Sequence, residues 1–344
     1  MITYDITKTY DWNYEHAPES APEAEVPEVP GDWDFCGLSV RSPLGVPAGP
    51  LLNSRWILYY AALGFDVLTY KTVRSAHRAC FAPPNLLPVR TPPLRGEEGE
   101  VVEDPTPREI DSWAISFGMP SKDPAVWQAD VERARTGLGA KQVLVVSVVA
   151  SPQAGWSTGD IAADFARCAR WAAESGAHVV EANLSCPNVC TQEANLYTSP
   201  ESSRAVAEAV RNAVPDLPVA LKIGLFRDRA QAEAVVAAVD GVVDALSTTN
   251  SITAPVRAAS GEMLFDGARR GIGGTCITGR CLEELAMLAS IVTARDSRLR
   301  LIGVGGVSTV EDVRTRLAAG AHHVQIATAA MLDPMLGIRI RKEW

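Results

Sequence analysis

A cysteine between two asparagines stands out among the residues that could carry chemistry. Residues 183–188 read Asn-Leu-Ser-Cys-Pro-Asn, and they follow an apolar run that is typical of a buried strand. Cys186 is therefore expected on the loop after that strand, where Asn183 and Asn188 could hold a polar ligand. A thiol acts as a nucleophile or as a general base, depending on how much of it is ionised.

The same segment also offers a metal-binding interpretation. Cys186 and Cys190 have a C-x-x-x-C spacing, but a metal site needs further ligands. Only the neighbouring His322 and His323 could face the two cysteines, from across the fold. We therefore predict no metal site.

Two lysines lie in or directly after predicted buried strands, where an ammonium group needs a partner. Lys71 and Thr72 follow the apolar run 65–70, and Lys222 lies inside the run Val-Ala-Leu-Lys-Ile at 219–223. A buried ammonium group without a partner is costly. An electron-rich flavin ring or an internal carboxylate could be the partner of Lys222, and the sequence leaves both open.

Pairs of small residues late in the chain predict an anion site. Gly305 and Gly306 follow one apolar run, and Ala327 and Thr328 follow the next, at the start of a short helical pattern. Backbone N–H groups at glycines and at helix starts bind phosphate. The stretch 271–274 (Gly-Ile-Gly-Gly) could add a further glycine-lined wall.

The elements that must position these residues alternate along the chain. Short, β-branched, mostly apolar runs predict eight strands that are covered on both faces, and helical patterns lie between most of them. One such helix has a predicted capping box at Ser308 and Glu311 and ends at Gly320, and another is predicted to open at Thr158. This alternation favours an α/β fold, a closed (β/α)8 TIM barrel over an open doubly wound sheet, with its active site at the strand C-termini. The runs are 44–47, 65–70, 142–149, 178–184, 219–223, 245–249, 299–303 and 322–327.

Two segments stand outside this alternation. Residues 1–35 predict an acidic, proline-rich N-terminal arm, because residues 15–32 hold many glutamates and prolines. Residues 36–344 are then the barrel domain, which contains an irregular excursion at 79–111. Thirty irregular residues inside a compact domain are usually functional.

Composition excludes several classes of protein. The 344 residues are 47% hydrophobic, which is too apolar for a disordered chain, and seven scattered cysteines do not form a disulfide framework. The net charge of −9 argues against nucleic acid as a partner. The N-terminus has no export-signal pattern and no apolar run reaches about 18 residues, so we expect a cytoplasmic protein without a membrane span.

Taken together, these motifs resemble the dihydroorotate dehydrogenase family, whose members are FMN-dependent (β/α)8 barrels. The resemblance covers roughly residues 36–335 and is greatest to the soluble class, which uses a cysteine base. It implies that Cys186 removes a proton from the substrate while hydride passes to flavin N5, with Lys71 assisting both flavin and substrate. The motifs are GVPAGP (45–50), YKT (70–72), EANLSCPN (181–188), ALKIG (220–224), TTNS (248–251), GIGG (271–274), IGVGGV (302–307) and VQIATA (324–329).

The family also implies which residues bind FMN and substrate. The FMN phosphate is expected at Gly305, Gly306, Ala327 and Thr328. The rest of the cofactor is expected against Ala48, Gly49, Lys71, Thr72, Ser147, Asn183, Lys222, Ser251 and Gly274. The substrate ring is expected against Lys71, Asn183, Asn188 and Asn250.

The chain departs from the family at one substrate position. Ile115 stands where the family has a ring-binding asparagine, and Ser121 replaces the final asparagine of the following turn. The predicted function is therefore FMN-dependent oxidation of dihydroorotate or of a related small cyclic or amide substrate. A reductase similar to dihydropyrimidine dehydrogenase and a specialised-metabolism flavoenzyme remain alternatives, and a non-redox flavin-binding barrel is a minor one. The resemblance further suggests a homodimer. The acidic arm lacks the apolar amphipathic helix of the quinone-linked membrane class, which favours a soluble electron acceptor or an electron-transfer partner protein.

Overall fold

A computed structural model describes residues 3–96, 99–106, 109–185 and 195–344. The strands in chain order are β1 (Trp33–Phe35), β2 (Leu38–Val40), β3 (Leu44–Val46), β4 (Val67–Val73), β5 (Leu86–Arg90), β6 (Val101–Glu103), β7 (Ser112–Ile115), β8 (Val143–Val148), β9 (Val179–Asn183), β10 (Val219–Lys222), β11 (Ala245–Thr248), β12 (Ile252–Ala254), β13 (Val256–Arg257), β14 (Arg270–Gly274), β15 (Arg300–Val304) and β16 (His323–Gln325). The helices are α1 (Tyr10–Glu15), α2 (Ser54–Ala62), α3 (Pro124–Gly137), α4 (Thr158–Glu174), α5 (Pro200–Ala213), α6 (Arg229–Val239), α7 (Thr278–Ala294), α8 (Val310–Ala318), α9 (Thr328–Leu332) and α10 (Leu336–Lys342).

A closed barrel of eight parallel strands forms the centre of the protein. Around the barrel the order is β3, β4, β8, β9, β10, β11, β15 and β16, which is also their order along the chain. Each predicted run overlaps one of these strands, although β4 and β15 extend beyond the ends of their runs, and helices of the outer layer connect the strands. The predicted (β/α)8 barrel is therefore confirmed.

One of the two predicted helix starts is confirmed and the other is displaced by one residue. The helix α4 begins at Thr158, as predicted, and the side chain of its cap, Ser157, accepts from the Asp160 amide. The capping box of α8 joins Thr309 to Asp312, so the predicted pair of Ser308 and Glu311 is wrong. The reason is that Thr309 still has extended backbone angles, which moves the first helical turn one residue along the chain.

The barrel interior has an apolar lower layer and a polar upper layer. The hairpin of β1 and β2 lies at the N-terminal ends of the barrel strands, where Phe35 packs edge-on against the His323 ring with centroids 5.0 Å apart. Above these residues lie buried polar side chains that include Thr69 and Gln325, which are hydrogen-bonded at 3.1 Å. The polar layer forms the base on which any site at the C-terminal ends must rest.

A second, six-stranded sheet lies outside the barrel. Its order is β12, β14, β7, β5, β6 and β13, so it combines the segments that follow β4 and β11. The predicted irregular excursion at residues 79–111 thus contains two strands, β5 and β6. Local sequence did not indicate them because β6 has only three residues and β5 contains Pro88, although β5 pairs with both β6 and the following β7.

The N-terminal segment runs along the barrel surface. Residues 17–32 form neither helix nor strand, whereas residues 3–16 contain α1 and carry the buried side chains of Tyr4 and Tyr10. Both rings contact Phe117, with centroids 5.8 and 6.1 Å apart. The division into an arm and a barrel domain stays a prediction.

None of the helices in the described ranges is both long and apolar enough to cross a bilayer.

Candidate active site

A cavity of about 850 Å³ opens at the C-terminal ends of the barrel strands. Fourteen of the predicted site residues line it: Ala48, Gly49, Lys71, Thr72, Ile115, Asn183, Lys222, Asn250, Ser251, Gly274, Gly305, Gly306, Ala327 and Thr328. Ser147 is fully buried and does not line it, while Cys186 and Asn188 lie outside the described residues.

An irregularity in β4 places two neighbouring residues on the cavity wall. Successive side chains of a regular strand point to opposite faces. Here the register with β8 shifts between Tyr70 and Val73, and Lys71 and Thr72 both reach the cavity. A bulge of this kind is common beside active sites because it re-aims a side chain.

Hydrogen bonds join Thr72 to the residues of the next two strands. The Asn183 amide donates to Thr72 Oγ1 at 3.2 Å, and the Thr72 hydroxyl lies 3.1 Å from Ser147 Oγ. Ser147 thus acts from below the cavity, by holding Thr72. Asn183 Oδ1 also accepts from the Ser185 amide at 3.2 Å, which orients its carboxamide at the strand end.

Lys222 lies on the cavity floor with a carboxylate nearby. Its Nζ donates to Ser247 Oγ at 3.3 Å. Burial lowers the pKa of Lys222, and the Glu181 carboxyl raises it again; burial likewise raises the pKa of Glu181, against the opposing charge of Lys222. The internal carboxylate considered as a partner is therefore present, although Lys222 still faces the cavity.

Glu181 was not among the predicted site residues. Strand alternation could have found it, because Glu181 lies two residues before Asn183 and hence on the same face of β9. Glu181 lines the cavity although the residue is only 3% exposed.

The glycines at the end of the seventh barrel strand are required because residues of a neighbouring segment pack closely against them. Gly305 and Gly306 have φ values of 104° and 71°, in the region that favours glycine. A Cβ on Gly305 would lie 2.5 Å from Cys281 Sγ, and one on Gly306 would lie 2.2 Å from Thr278 Oγ1. Both residues line the cavity, and their role in binding a phosphate stays a prediction.

Gly49 is the residue whose missing side chain leaves room on the cavity side. No atom lies within 4 Å of the position that its Cβ would take. A flat ring could therefore approach the backbone there. This open wall fits a flavin.

An apolar wall faces this end of the cavity. Ile115, Phe117 and Met119 all line it, and Ile115 Cδ1 would be 3.2 Å from a Cβ on Gly273. The Ile115 side chain thus lies close to β14 at the cavity wall, and it has no hydrogen-bonding group to replace the expected amide.

The excursion contributes residues that sequence reasoning missed. Glu109, Ile110 and Asp111 line the cavity, and the Asp111 carboxylate accepts from Thr275 Oγ1 at 2.6 Å. A Cβ on Gly274 would lie 2.1 Å from the Asp111 carbonyl oxygen, so this glycine permits the close approach of β7 to β14. No local pattern marks these contacts, because they depend on pairing across the second sheet.

The histidines considered as metal ligands lie away from the cavity. His322 Nδ1 accepts from the Leu301 amide at 3.3 Å, and His323 is buried in the lower layer of the barrel. Within the part of the chain that the structure describes, no group of three or more His, Cys, Asp or Glu side chains could hold a metal.

Comparison with known proteins identifies the family. The dihydroorotate dehydrogenase family model matches residues 117–343. A dihydroorotate dehydrogenase of Dictyostelium discoideum is 31% identical over 98% of this chain and 95% of the relative. The chain belongs to the dihydroorotate dehydrogenase family. The predicted recognition is thereby confirmed, and so is the predicted class of enzyme, an oxidoreductase acting on a CH–CH bond.

Two further similarities cover different parts of the chain. The catalytic subunit of an NAD(+)-dependent dihydroorotate dehydrogenase B from Maridesulfovibrio salexigens is 31% identical over 50% of this chain and 55% of the relative. A crystal structure of the dihydroorotate dehydrogenase of Eimeria tenella in complex with ferulenol matches with a TM-score of 0.70. That match has 18% identity and covers 94% of this chain and 86% of the other. At this identity the match supports the fold alone.

Proteins of the dihydroorotate dehydrogenase family are flavin-dependent. The match to the family model begins at residue 117, so it includes neither the excursion nor the Ile115 position.

Proposed function

We propose that this protein is an FMN-dependent enzyme that oxidises dihydroorotate or a closely related cyclic amide. One observation carries the proposal: Lys71, Asn183 and Lys222 and the Gly305-Gly306 loop surround a single cavity at the C-terminal end of a barrel of this family. Barrels of this kind build their active sites at that end.

Several residues present suit FMN. The open wall at Gly49 admits a flat ring, and the backbone at Gly305, Gly306, Ala327 and Thr328 is proposed to hold the phosphate. Lys222 and Lys71 supply positive charge at the cavity. When bound, FMN would supply the hydride acceptor of the reaction.

The chain's own residues would bind the substrate and move its proton. Asn250 lines the cavity with its Nδ2 bonded to the Ser185 hydroxyl at 3.3 Å and its Oδ1 accepting from the Ser251 amide at 2.9 Å. These two hydrogen bonds fix the orientation of the Asn250 carboxamide at the cavity wall. Cys186 as the general base, and Asn188 as a substrate ligand, remain part of this proposal and lie outside the described residues.

A different substrate is the second candidate, and Ile115 favours it. An isoleucine cannot pair with a ring amide, so a substrate that lacks that amide, or carries an apolar group there, would suit this wall better. The alternative of a dihydropyrimidine-dehydrogenase-like reductase uses the same cavity and stays open with respect to direction.

Electron transfer and assembly are proposed from the relatives and the resemblance. The Maridesulfovibrio salexigens relative is named a catalytic subunit of an NAD(+) enzyme, which supports a separate electron-transfer protein for this chain. A homodimer and a cytoplasmic location stay predictions.

Anaerobic reduction tests the proposal. Purified protein should be yellow, should release FMN on denaturation, and should lose its flavin absorbance when dihydroorotate is added without oxygen. A protein that takes up no FMN contradicts the flavin assignment. A protein that binds FMN and is bleached by another cyclic amide, but not by dihydroorotate, supports the second candidate.

A further inference from the structure

The Glu181 carboxyl group is a buried acidic group that the proposed function leaves without a role. It lies in the floor of the cavity, and the strand register sets Glu181 beside Ser147 of β8 and Ala220 of β10. A buried carboxylate is costly unless it is paired and hydrogen-bonded. Its surroundings should therefore contain the compensating groups.

Those groups are two hydroxyls and one ammonium. Ser147 lies opposite Glu181 in the strand register, and Ser247 accepts from Lys222 Nζ at 3.3 Å. The Lys222 charge and the two serine hydroxyls counter the rise in the Glu181 pKa that burial causes. Glu181 and Lys222 are thus two oppositely charged residues that share the cavity floor.

The surroundings of these two charged residues extend to other residues that line the cavity. Ser147 contacts Thr72, and Thr72 accepts from Asn183. The connected side chains come from the five neighbouring strands β4, β8, β9, β10 and β11. A change of charge at Glu181 therefore alters the electrostatic potential at all of these residues of the cavity floor.

We propose that Glu181 is a positioning residue whose carboxylate balances the charge of Lys222 and so sets the net charge beneath the flavin. This inference rests on the proposed function, because FMN is the group that would sense the charge. Reduction makes a flavin more electron-rich. An unbalanced Lys222 would therefore favour the reduced cofactor, and an unbalanced Glu181 would favour the oxidised one.

The test measures the midpoint potential of bound FMN in purified holoprotein. Glu181→Gln keeps the shape of the side chain and removes its charge, so we expect the affinity for reduced over oxidised FMN to rise about tenfold, a shift of about +30 mV for a two-electron couple. Lys222→Met should shift the potential by a similar amount in the negative direction. The double variant, which has no charge at either position, should return toward the wild-type potential.

Matched variants separate this role from a structural one. Glu284 is another fully buried carboxylate; it accepts from the Phe226 amide at 2.9 Å and pairs with Arg280 at 2.7 Å, and it does not line the cavity. Glu284→Gln should therefore leave the potential unchanged. Glu181→Asp keeps the charge and should keep a near-wild-type potential.

Each result either supports or overturns the proposed role of Glu181. If Glu181→Gln folds poorly, the effect of Glu181 is measured by comparing Lys222→Met with the double variant, because neither contains an unbalanced ammonium group. The double variant should have the more positive midpoint potential. Bound FMN with the same potential in wild type and Glu181→Gln, or a double variant no more positive than Lys222→Met, overturns the role of Glu181 and leaves the proposed function standing. Wild-type protein that binds no FMN overturns both.

Discussion

His323 should make the stability of the barrel depend on pH. Its ring packs against Phe35, and its Cε1 would be 3.2 Å from a Cβ on Gly45. Within the described residues neither ring nitrogen has a hydrogen-bond partner of good geometry, and the Ser42 backbone only partly offsets the loss of hydration. Burial therefore lowers the pKa of His323 from 6.5 to about 3.

The sign and size of this pH dependence follow from the difference in proton binding between the folded and unfolded states. Between these two pKa values the unfolded chain binds a proton that the folded protein excludes, so this contribution to stability is complete above pH 6.5 and declines as the pH falls toward 3. At pH 5 the loss amounts to about 2 kcal/mol of unfolding free energy, and it keeps that size for any folded-state pKa below about 4. Burial also lowers the pKa of His178 and His322, which adds to the wild-type slope in the same direction.

Comparison with His323→Met isolates this residue. Methionine fills an apolar site and does not titrate, so the variant should lose about 2 kcal/mol less than wild type between pH 8 and pH 5. Urea unfolding at both pH values measures the difference, with the exposed His77→Gln as the control that should behave like wild type. If His323→Met and wild type lose the same stability, the ring is not held neutral by burial and the reasoning is wrong.

Three further predictions concern the cavity. Ile115→Asn should tighten dihydroorotate binding by about 1–3 kcal/mol, because it supplies the missing amide, and no gain in a flavin-bleaching titration would contradict the assigned role of this wall. Gly49→Val should weaken FMN binding at least about tenfold, since its side chain would occupy the open wall; retention measured by fluorescence of released FMN checks this, and unchanged retention places the ring elsewhere. Cys186→Ser should keep FMN while turnover falls steeply, and Cys190→Ser should be much milder; wild-type turnover should rise with pH through one ionisation, and the reverse order of the two variants would move the base to Cys190.

Strand positions and most of the cavity wall could be predicted from local sequence. A strand of a closed parallel barrel is covered on both faces, so its residues are apolar nearly throughout and each run is visible without its neighbours. The residues at and just after the end of each run must then lie at the C-terminal rim. For this reason Lys71, Asn183 and Ser251 were found at the cavity without any knowledge of their contacts.

Contacts between segments remote in the chain decided the rest. The charge that opposes Lys222 comes from Glu181 on a neighbouring strand, and Ser147 lies below the cavity, 3.1 Å from the Thr72 hydroxyl. The excursion at 79–111 contains two strands that pair with each other, and of their described pairings only that of β6 with β13 joins the excursion to a distant segment. These outcomes depend on which side chains meet across the closed barrel and the second sheet, and the pattern along a single run carries no information about that meeting.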